Sequence, residues 1–429
     1  MSTNIKSKIS SIFNKQLFSI DQDQNLIIGR KHKPDYWLLV LMMLLMLIGF
    51  ILIFSISPAL SITNNVSNNY FTFKQGLADF LGLIGFLIAS KIPLIWWKKT
   101  YKLLISFATI TTLAAIILPV NPNYPAHRWV RLGSFSFQSV EIVKFVTIIW
   151  VASFLANQIK LNKINNIKSL VIPLGTIITV LGIIIVGIQS DLGSLGVILI
   201  SISAMVYIAG MPFKKLIIGF LLIGVILVIS VIISPYRLAR IETYLHPQTN
   251  CQGSSYQACQ SLISVGSGGF IGLGLGKTVQ AYGYVPEASN DSIFAIYSEK
   301  FGFIGDFILI LIFVGFFSRI KNIALKIEDN FLKLIVIGIL TWLSFQTLIN
   351  IGAMVGILPL KGITLPFISY GGTSIVFSAA AVGLVFQISR YTSLNALTKN
   401  ISEKGYRNES VINRGRIRGA YHSRHDNSL

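Results

Sequence analysis

The stretch "YWLLVLMMLLMLIGFILIFS", residues 36–55, decides the fold, because it runs for twenty residues without a charged side chain. About 20 apolar residues in a helix cross the roughly 30 Å hydrocarbon core of a bilayer. The segment before it, "MSTNIKSKISSIFNKQ", is polar and lacks the apolar core that follows the basic residues of a signal peptide. The run at 36–55 therefore reads as a first span that is retained. Further apolar runs lie near 75–92, 103–120, 140–157, 168–188, 192–209, 215–234, 302–318, 334–356 and 371–389. The expected fold class is all-α: a polytopic membrane protein of about ten transmembrane helices.

Composition agrees. The chain has 429 residues, 53% hydrophobic and 12% charged, against about 25% charged in a soluble domain. Ten spans put both ends on one side, and basic residues mark the cytoplasmic side of short loops. With the N-terminus inside, 27 of the 36 Lys and Arg fall on inner segments, while the 16 acids divide equally. Nearly all of the +20 net charge is then cytoplasmic. The expected organisation is a basic cytoplasmic segment at 1–35, a membrane domain at 36–390 and a basic cytoplasmic tail at 391–429. One large extracytoplasmic loop, about 235–301, joins the seventh and eighth spans. Positive charge spread over short inner loops fits anionic lipid rather than nucleic acid, so no nucleic-acid partner is expected.

Five polar clusters interrupt this apolar chain, and the topology puts all of them outside. "YVPEASNDSIFAIYSEKFG", 284–302, carries Glu287, Asp291 and Glu299. On a helix, Glu287 and Asp291 would share a face, with Glu299 near it; Ser289, Asn290 and Asp291 also suit a helix N-terminus. "HRWVRLGSFSFQSVEIVKF", 127–145, carries Arg128, Arg131 and the Glu141–Lys144 spacing of a helical ion pair. Charge inside a span is costly and often functional. In "QSDLGS", 189–194, Asp191 suits the cap of the next span. "YRLARIETYLHP", 236–247, sets Arg237 and Arg240 three apart, a pattern suited to phosphate. "GILPLKGITLPFISYGGTS", 356–374, combines Pro and Gly with the lone base Lys361, irregular backbone of the kind that lines a cavity.

Two further signals carry less. "SVGSGGFIGLGLGKT", 264–278, is glycine-rich but has Ile271 where a phosphate loop requires glycine, so nucleotide binding is not expected. Cys251 and Cys259 are too few for a disulfide framework, although a local bond between them is open.

"KPDYWLLVL" from 33, "IASKIPLIWWKK", "RWVRLGSFSFQ", "YQACQSLISVGSGGFIGLGLGKTVQ", "PEASNDSIFA" and "KGITLPFISYGGTS" occur in that order. By these motifs the chain, from 33 to about Arg390, resembles the SEDS family (shape, elongation, division and sporulation), in particular its division branch. It departs from the family pattern at Ser139-Val140, at Ser190 and at Ser289-Asn290, where the family usually has Pro-Ser, Pro and His-Thr; the acids Glu141, Asp191 and Asp291 remain.

The resemblance implies a peptidoglycan glycosyltransferase that polymerises lipid II at the outer face of the cell inner membrane, at the division septum. It implies as partners lipid II, a class B penicillin-binding protein and other divisome proteins. Matched onto this sequence, the essential carboxylate is Asp291, as base or as metal-positioning group. Arg237, Arg240, Arg128, Arg131 and Lys361 are candidates for the pyrophosphate, with Glu287 at the substrate. Glu141 and Lys144 shape a cavity that Asp191 supports. A divalent cation (Mg or Mn) is a candidate cofactor because a pyrophosphate leaves. A lipid II flippase and a non-catalytic divisome scaffold are the competing readings; a flippase should carry essential polar groups on both faces and at mid-depth.

Overall fold

The computed structural model describes residues 32–118, 127–132, 135–215, 250–253 and 255–392, together with 242–247 and single residues between 217 and 238. The span expected at 215–234, Arg237, Arg240 and both expected tails beyond residues 32 and 392 lie outside the described residues or nearly so.

Helix α1, Tyr36–Asn64, shows how the sequence sorts itself. Leu38, Met42, Leu45, Leu52 and Ile56 recur at helical spacing and are buried, whereas Trp37, Val40, Leu44, Leu47, Ile51 and Phe54 are exposed. Both faces are apolar. One packs on protein and the other suits lipid, so the helix has no polar face for water.

The remaining helices are α2 (Tyr70–Lys91), α3 (Leu94–Lys99), α4 (Tyr101–Ile117), α5 (Ser139–Lys160), α6 (Ile167–Gly182, continued by a π-helical stretch Ile183–Ile188) and α7 (Leu192–Ile208). After the large loop, which contributes α8 (Tyr256–Gly268), come α9 (Ile293–Leu325), α10 (Asn330–Met354) and α11 (Gly372–Ile388). Among the described residues seven helices are long and apolar enough to cross a membrane, and α4 and α7 are shorter apolar helices at two further expected spans.

Lipid gives no hydrophobic drive for one helix to join another, so close packing between small residues carries association. Gly82 of α2 lies against Ile375 and Ala379 of α11, and the backbone at Gly383 touches that at Phe86. In α1 a side chain at Gly49 would come within 2.7 Å of Phe367 O. The 361–371 loop is thereby seated directly on α1.

Asp35 accepts from Arg319 Nη2 at 2.6 Å, the Asp35 amide donates to Ser389 Oγ at 3.0 Å, and His32 N donates to Arg390 O at 2.8 Å. The first span, the end of α9 and the end of α11 therefore meet at one end of the bundle. The polar loops gather at the other end. Within the described part of the loop, Cys251 is disulfide-bonded to Cys259, which lies in the first turn of α8. A disulfide fits an oxidising compartment.

Candidate functional site

Four of the five polar clusters come together at the end opposite the termini. The turn holding Asp291 is fixed through its main chain. Asn350 Nδ2, from α10, donates to Asp291 O at 2.7 Å and to Ile363 O at 2.7 Å. Ser369 Oγ donates to Asn290 O at 2.6 Å and accepts from Leu365 N at 2.7 Å. Tyr370 N donates to Ser289 O at 2.7 Å. One span and one irregular loop thus hold three consecutive residues, 289–291, so the carboxylate is placed by groups other than itself.

That carboxylate lies over Gly362. A Cβ at Gly362 would come 3.5 Å from Asp291 Oδ2, and φ there is +64°, a conformation glycine adopts freely. Lys361 is the adjacent residue, and its Cβ lies 3.2 Å from where a side chain on Gly193 would begin. The 189–194 turn therefore packs on the stem of Lys361. Asp191 caps α7, accepting from Ser194 N at 3.0 Å and Ser194 Oγ at 2.8 Å, as its position predicts.

Arg128 sits at the foot of a hairpin of β1 (Trp129–Leu132) and β2 (Phe135–Gln138), in which Trp129 pairs with Gln138 and Arg131 with Ser136. Its Nε donates to Gln189 O at 2.6 Å and its Nη2 to Ser190 O at 2.7 Å. Ser190 has φ +53°, and its turn leaves both carbonyls aimed at the guanidinium. Arg128, expected among the pyrophosphate cations, commits two of its five donors to holding the 189–191 turn. Arg131 lies in β1, with its side chain outside the described residues, as are Arg237 and Arg240.

Below this surface lies a buried polar network. Lys144 Nζ donates to Glu141 Oε1 at 2.8 Å and to Gln346 Oε1 at 3.0 Å, and stands 5.2 Å from the Trp342 ring centroid. Trp342 Nε1 donates to the same Gln346 oxygen at 2.8 Å. Gln346 Nε2 reaches Thr364 O at 2.9 Å, and Thr364 Oγ1 lies 3.0 Å from Ser374 Oγ. Glu141 and Lys144 are both buried. Taking two charges out of water is expensive, and the hydrogen bonds to Gln346 help to offset it. The chain from Lys144 to Thr364 links α5 and α10 to the loop that carries Gly362. A small cavity beside Lys144 is lined by Thr147, Ile198, Ser201 and Trp342.

The 284–302 cluster needs correction. Glu287 and Asp291 do not share a helical face: residues 281–292 are turns, and α9 begins at Ile293. Glu287 is exposed with φ +51°, and its carboxylate accepts from Asn290 Nδ2. Asp291 is not the cap either, since the N-cap position is Ser292, whose side chain makes no capping bond. Glu299 faces away, buried, accepting from Val279 N at 3.0 Å and Gln280 N at 3.3 Å. It braces the large loop.

Three residues of the site were not picked out from the sequence: Trp342, Gln346 and Asn350. They recur every four residues along one face of α10, all buried. Amides at that spacing inside an apolar span were the available signal. Among the described residues no three His, Cys, Asp or Glu side chains gather as a metal site.

A family model described as a cell cycle protein, covering FtsW, RodA and SpoVE, matches residues 36–394. A probable peptidoglycan glycosyltransferase FtsW of Coxiella burnetii is 34% identical over 364 residues, spanning 83% of this chain and 96% of that protein. Stage V sporulation protein E of Bacillus subtilis is 34% identical over 366 residues, 85% of this chain and 99% of that one. Among solved structures, a chain of a peptidoglycan synthase complex that coordinates polymerization and crosslinking superposes with a TM-score of 0.67 at 22% identity, covering 84% of this chain and 99% of that chain. The rod shape determining protein RodA of Thermus thermophilus gives 0.59 at 20% identity, over 84% and 98%. At that identity the structures establish the fold.

Proposed function

Because the chain belongs to the family of FtsW, RodA and SpoVE cell cycle proteins, we propose that it is a peptidoglycan glycosyltransferase polymerising lipid II at the outer face of the cytoplasmic membrane. The observation that carries this reading beyond the family is the mounting of Asp291. Its main chain is held by Asn350, and its carboxylate lies against Gly362 beside Lys361.

The reaction joins a sugar hydroxyl to an anomeric carbon. The new C–O bond forms as the bond to the lipid pyrophosphate breaks, and the hydroxyl proton must go to a base. Asp291 is that base. Its fixed main chain keeps the carboxylate in place while the bulky substrate moves, and a misplacement of about 1 Å can cost about a hundredfold in rate. The departing pyrophosphate requires cations, and Lys361 is the one base of the 356–374 segment, next in sequence to Gly362; Arg131, Arg237 and Arg240 are the other candidates. Arg128, Asp191 and the Glu141–Lys144 network position the loops. One carboxylate among carbonyls does not make a resident metal site, so a divalent cation would arrive with the pyrophosphate and supply charge neutralisation there.

The further partners are a class B penicillin-binding protein, which crosslinks the glycan, and other divisome proteins, with the chain acting at the septum. Transport without chemistry is the second reading. The buried Glu141–Lys144–Gln346 network is the observation it would draw on, but that network is packed against Trp342, and the other polar clusters gather at one end of the bundle.

The test is reconstitution with labelled lipid II and the penicillin-binding partner. Glycan chains grow with the intact protein and vanish with Asp291→Asn, while melting and partner binding persist. Normal polymerisation by that variant removes the catalytic assignment. Lipid crossing the bilayer without any glycan makes the protein a transporter, and glycan made by the partner alone makes it a scaffold.

A further inference from the structure

Helix α9 breaks at Gly302, where φ is 63° and ψ −170°. A break of this kind leaves carbonyls before it and amides after it without helical partners. The large outer loop supplies partners for four of them. Leu273 N donates to Glu299 O at 2.9 Å and Gly274 N to Lys300 O at 3.0 Å. In return Phe303 N donates to Gly269 O at 2.9 Å and Ile304 N to Phe270 O at 3.1 Å. The fit is backbone on backbone, since a side chain on Gly272 would collide with Lys300 O.

The depth of this junction follows from the other end of the same helix. Arg319, paired with Asp35, marks the inner edge of the apolar layer. Residues 303–318 are sixteen helical residues whose lone charged side chain, Asp306, is turned onto Ser298 Oγ at 2.9 Å, about 24 Å at 1.5 Å each. The hydrocarbon layer is about 30 Å thick. Phe303 therefore lies about 6 Å below the outer edge, and any tilt takes it deeper. Irregular backbone at that depth is tolerated only when its polar groups are satisfied by protein, and here the described junction satisfies them.

The side chains agree. Phe270 is 74% exposed and Ile271 80%, with Leu273 and Leu275 also exposed. The Phe270 and Phe303 rings pack edge-on with centroids 5.9 Å apart. Phe270 and Ile271 are thus continuous with the lipid-facing side of α9, where Phe303, Ile304, Phe307, Ile308 and Leu311 are exposed. Lys277 is the lone charged residue between 264 and 286. Tyr282 and Tyr284 are exposed beyond it, as in an interfacial aromatic belt. The segment is also preformed. Buried Lys300 donates to Leu275 O at 3.1 Å and Thr278 Oγ1 at 2.8 Å, while Glu299 holds the amides of Val279 and Gln280.

We infer that residues 268–275 form a rigid apolar wedge embedded among the acyl chains of the outer leaflet, with Lys277, Tyr282 and Tyr284 at the headgroup level. The occupant of this surface is phospholipid. The wedge ties the depth of α9, and with it the turn of Asp291, to the bilayer surface. This inference stands on the backbone of α9 and is independent of the proposed activity.

Its test uses spin labels on the full chain in vesicles of phosphatidylethanolamine and phosphatidylglycerol, without reductant so that the native disulfide stays closed. Ile271→Cys and Leu275→Cys are each labelled, with Phe307→Cys as the lipid-facing control and Lys277→Cys as the headgroup control. Collision with oxygen is compared with collision with a water-soluble nickel chelate. The expected oxygen-to-nickel ratio at 271 and 275 is several-fold above that at 277 and close to that at 307. A ratio at 271 and 275 equal to that at 277 puts the segment in water and overturns the inference. Shielding of both positions from both reagents means that protein covers them, and overturns it equally.

Discussion

Asp291 and Glu299 lie eight residues apart and are held in opposite ways. Asp291 is gripped by its main chain, through Asn350 and the 363–370 loop, and its carboxylate is directed to Gly362. Glu299 is a helical residue, fully buried, and its carboxylate does the gripping, on the amides of Val279 and Gln280. A carboxylate whose position is supplied by others can change protonation without unfolding its surroundings. One that supplies position to others cannot. The same residue chemistry thus serves reaction in one place and architecture in the other.

The sharpest way to break this contrast is to neutralise each in turn. Asp291→Asn should lower polymerisation about a hundred- to ten-thousand-fold, the scale of losing a general base, with the melting temperature of the protein nearly unchanged. Glu299→Met should do the reverse. It strands two loop amides and costs about 1–3 kcal/mol of stability, read as a lowered melting temperature in detergent and faster proteolysis between 272 and 280. If Asp291→Asn unfolds the protein and Glu299→Met leaves it intact but inactive, the contrast is wrong.

Asn350→Ala sharpens the comparison. It removes the bonds to Asp291 O and Ile363 O, which tie the turn and the loop to α10, while leaving the carboxylate and the contacts from Ser369 and Tyr370, so turnover should fall about tenfold and stability by about 1 kcal/mol. Single-turnover kinetics should show unchanged substrate affinity and slowed chemistry. The smallest change is Gly362→Ala. A methyl group at positive φ costs about 1 kcal/mol and crowds Asp291 Oδ2, so activity should drop a few-fold while Glu299 and its loop keep the same hydrogen-exchange protection.

Much of the fold was legible. The spans are runs of about 20 apolar residues, a property of local composition, and the helices at 36–64, 139–160, 330–354 and 372–388 lie where those runs are. The Asp191 cap was legible for the same local reason. The site was legible only as a set of clusters. Sequence spacing suggested a shared helical face for Glu287, Asp291 and Glu299, but Pro286, Ser289 and Asn290 favour turns, and the turns docked on α10 prevail. The 268–275 segment reads only as glycine-rich sequence in the large outer loop, and its bonds to the broken helix at Gly302 appear only in the fold. Arg128 reads as a phosphate ligand, and no spacing in the sequence shows that two of its donors hold the carbonyls of Gln189 and Ser190.

What the sequence determined by itself is where the long apolar helices of the described residues lie, with the bias of Lys and Arg as its guide to sidedness. Transfer from water to lipid and the bias of Lys and Arg both depend on residues considered a few at a time. What only the tertiary structure decided is which polar group meets which. Asn350 finds Asp291 across 59 residues, and Arg128 finds Gln189 across 61. Such pairings depend on how the helices pack and on close approaches such as Gly49 against Phe367. No local pattern encodes them, because in lipid the choice among neighbouring helices rests on shape and on satisfying each buried polar atom.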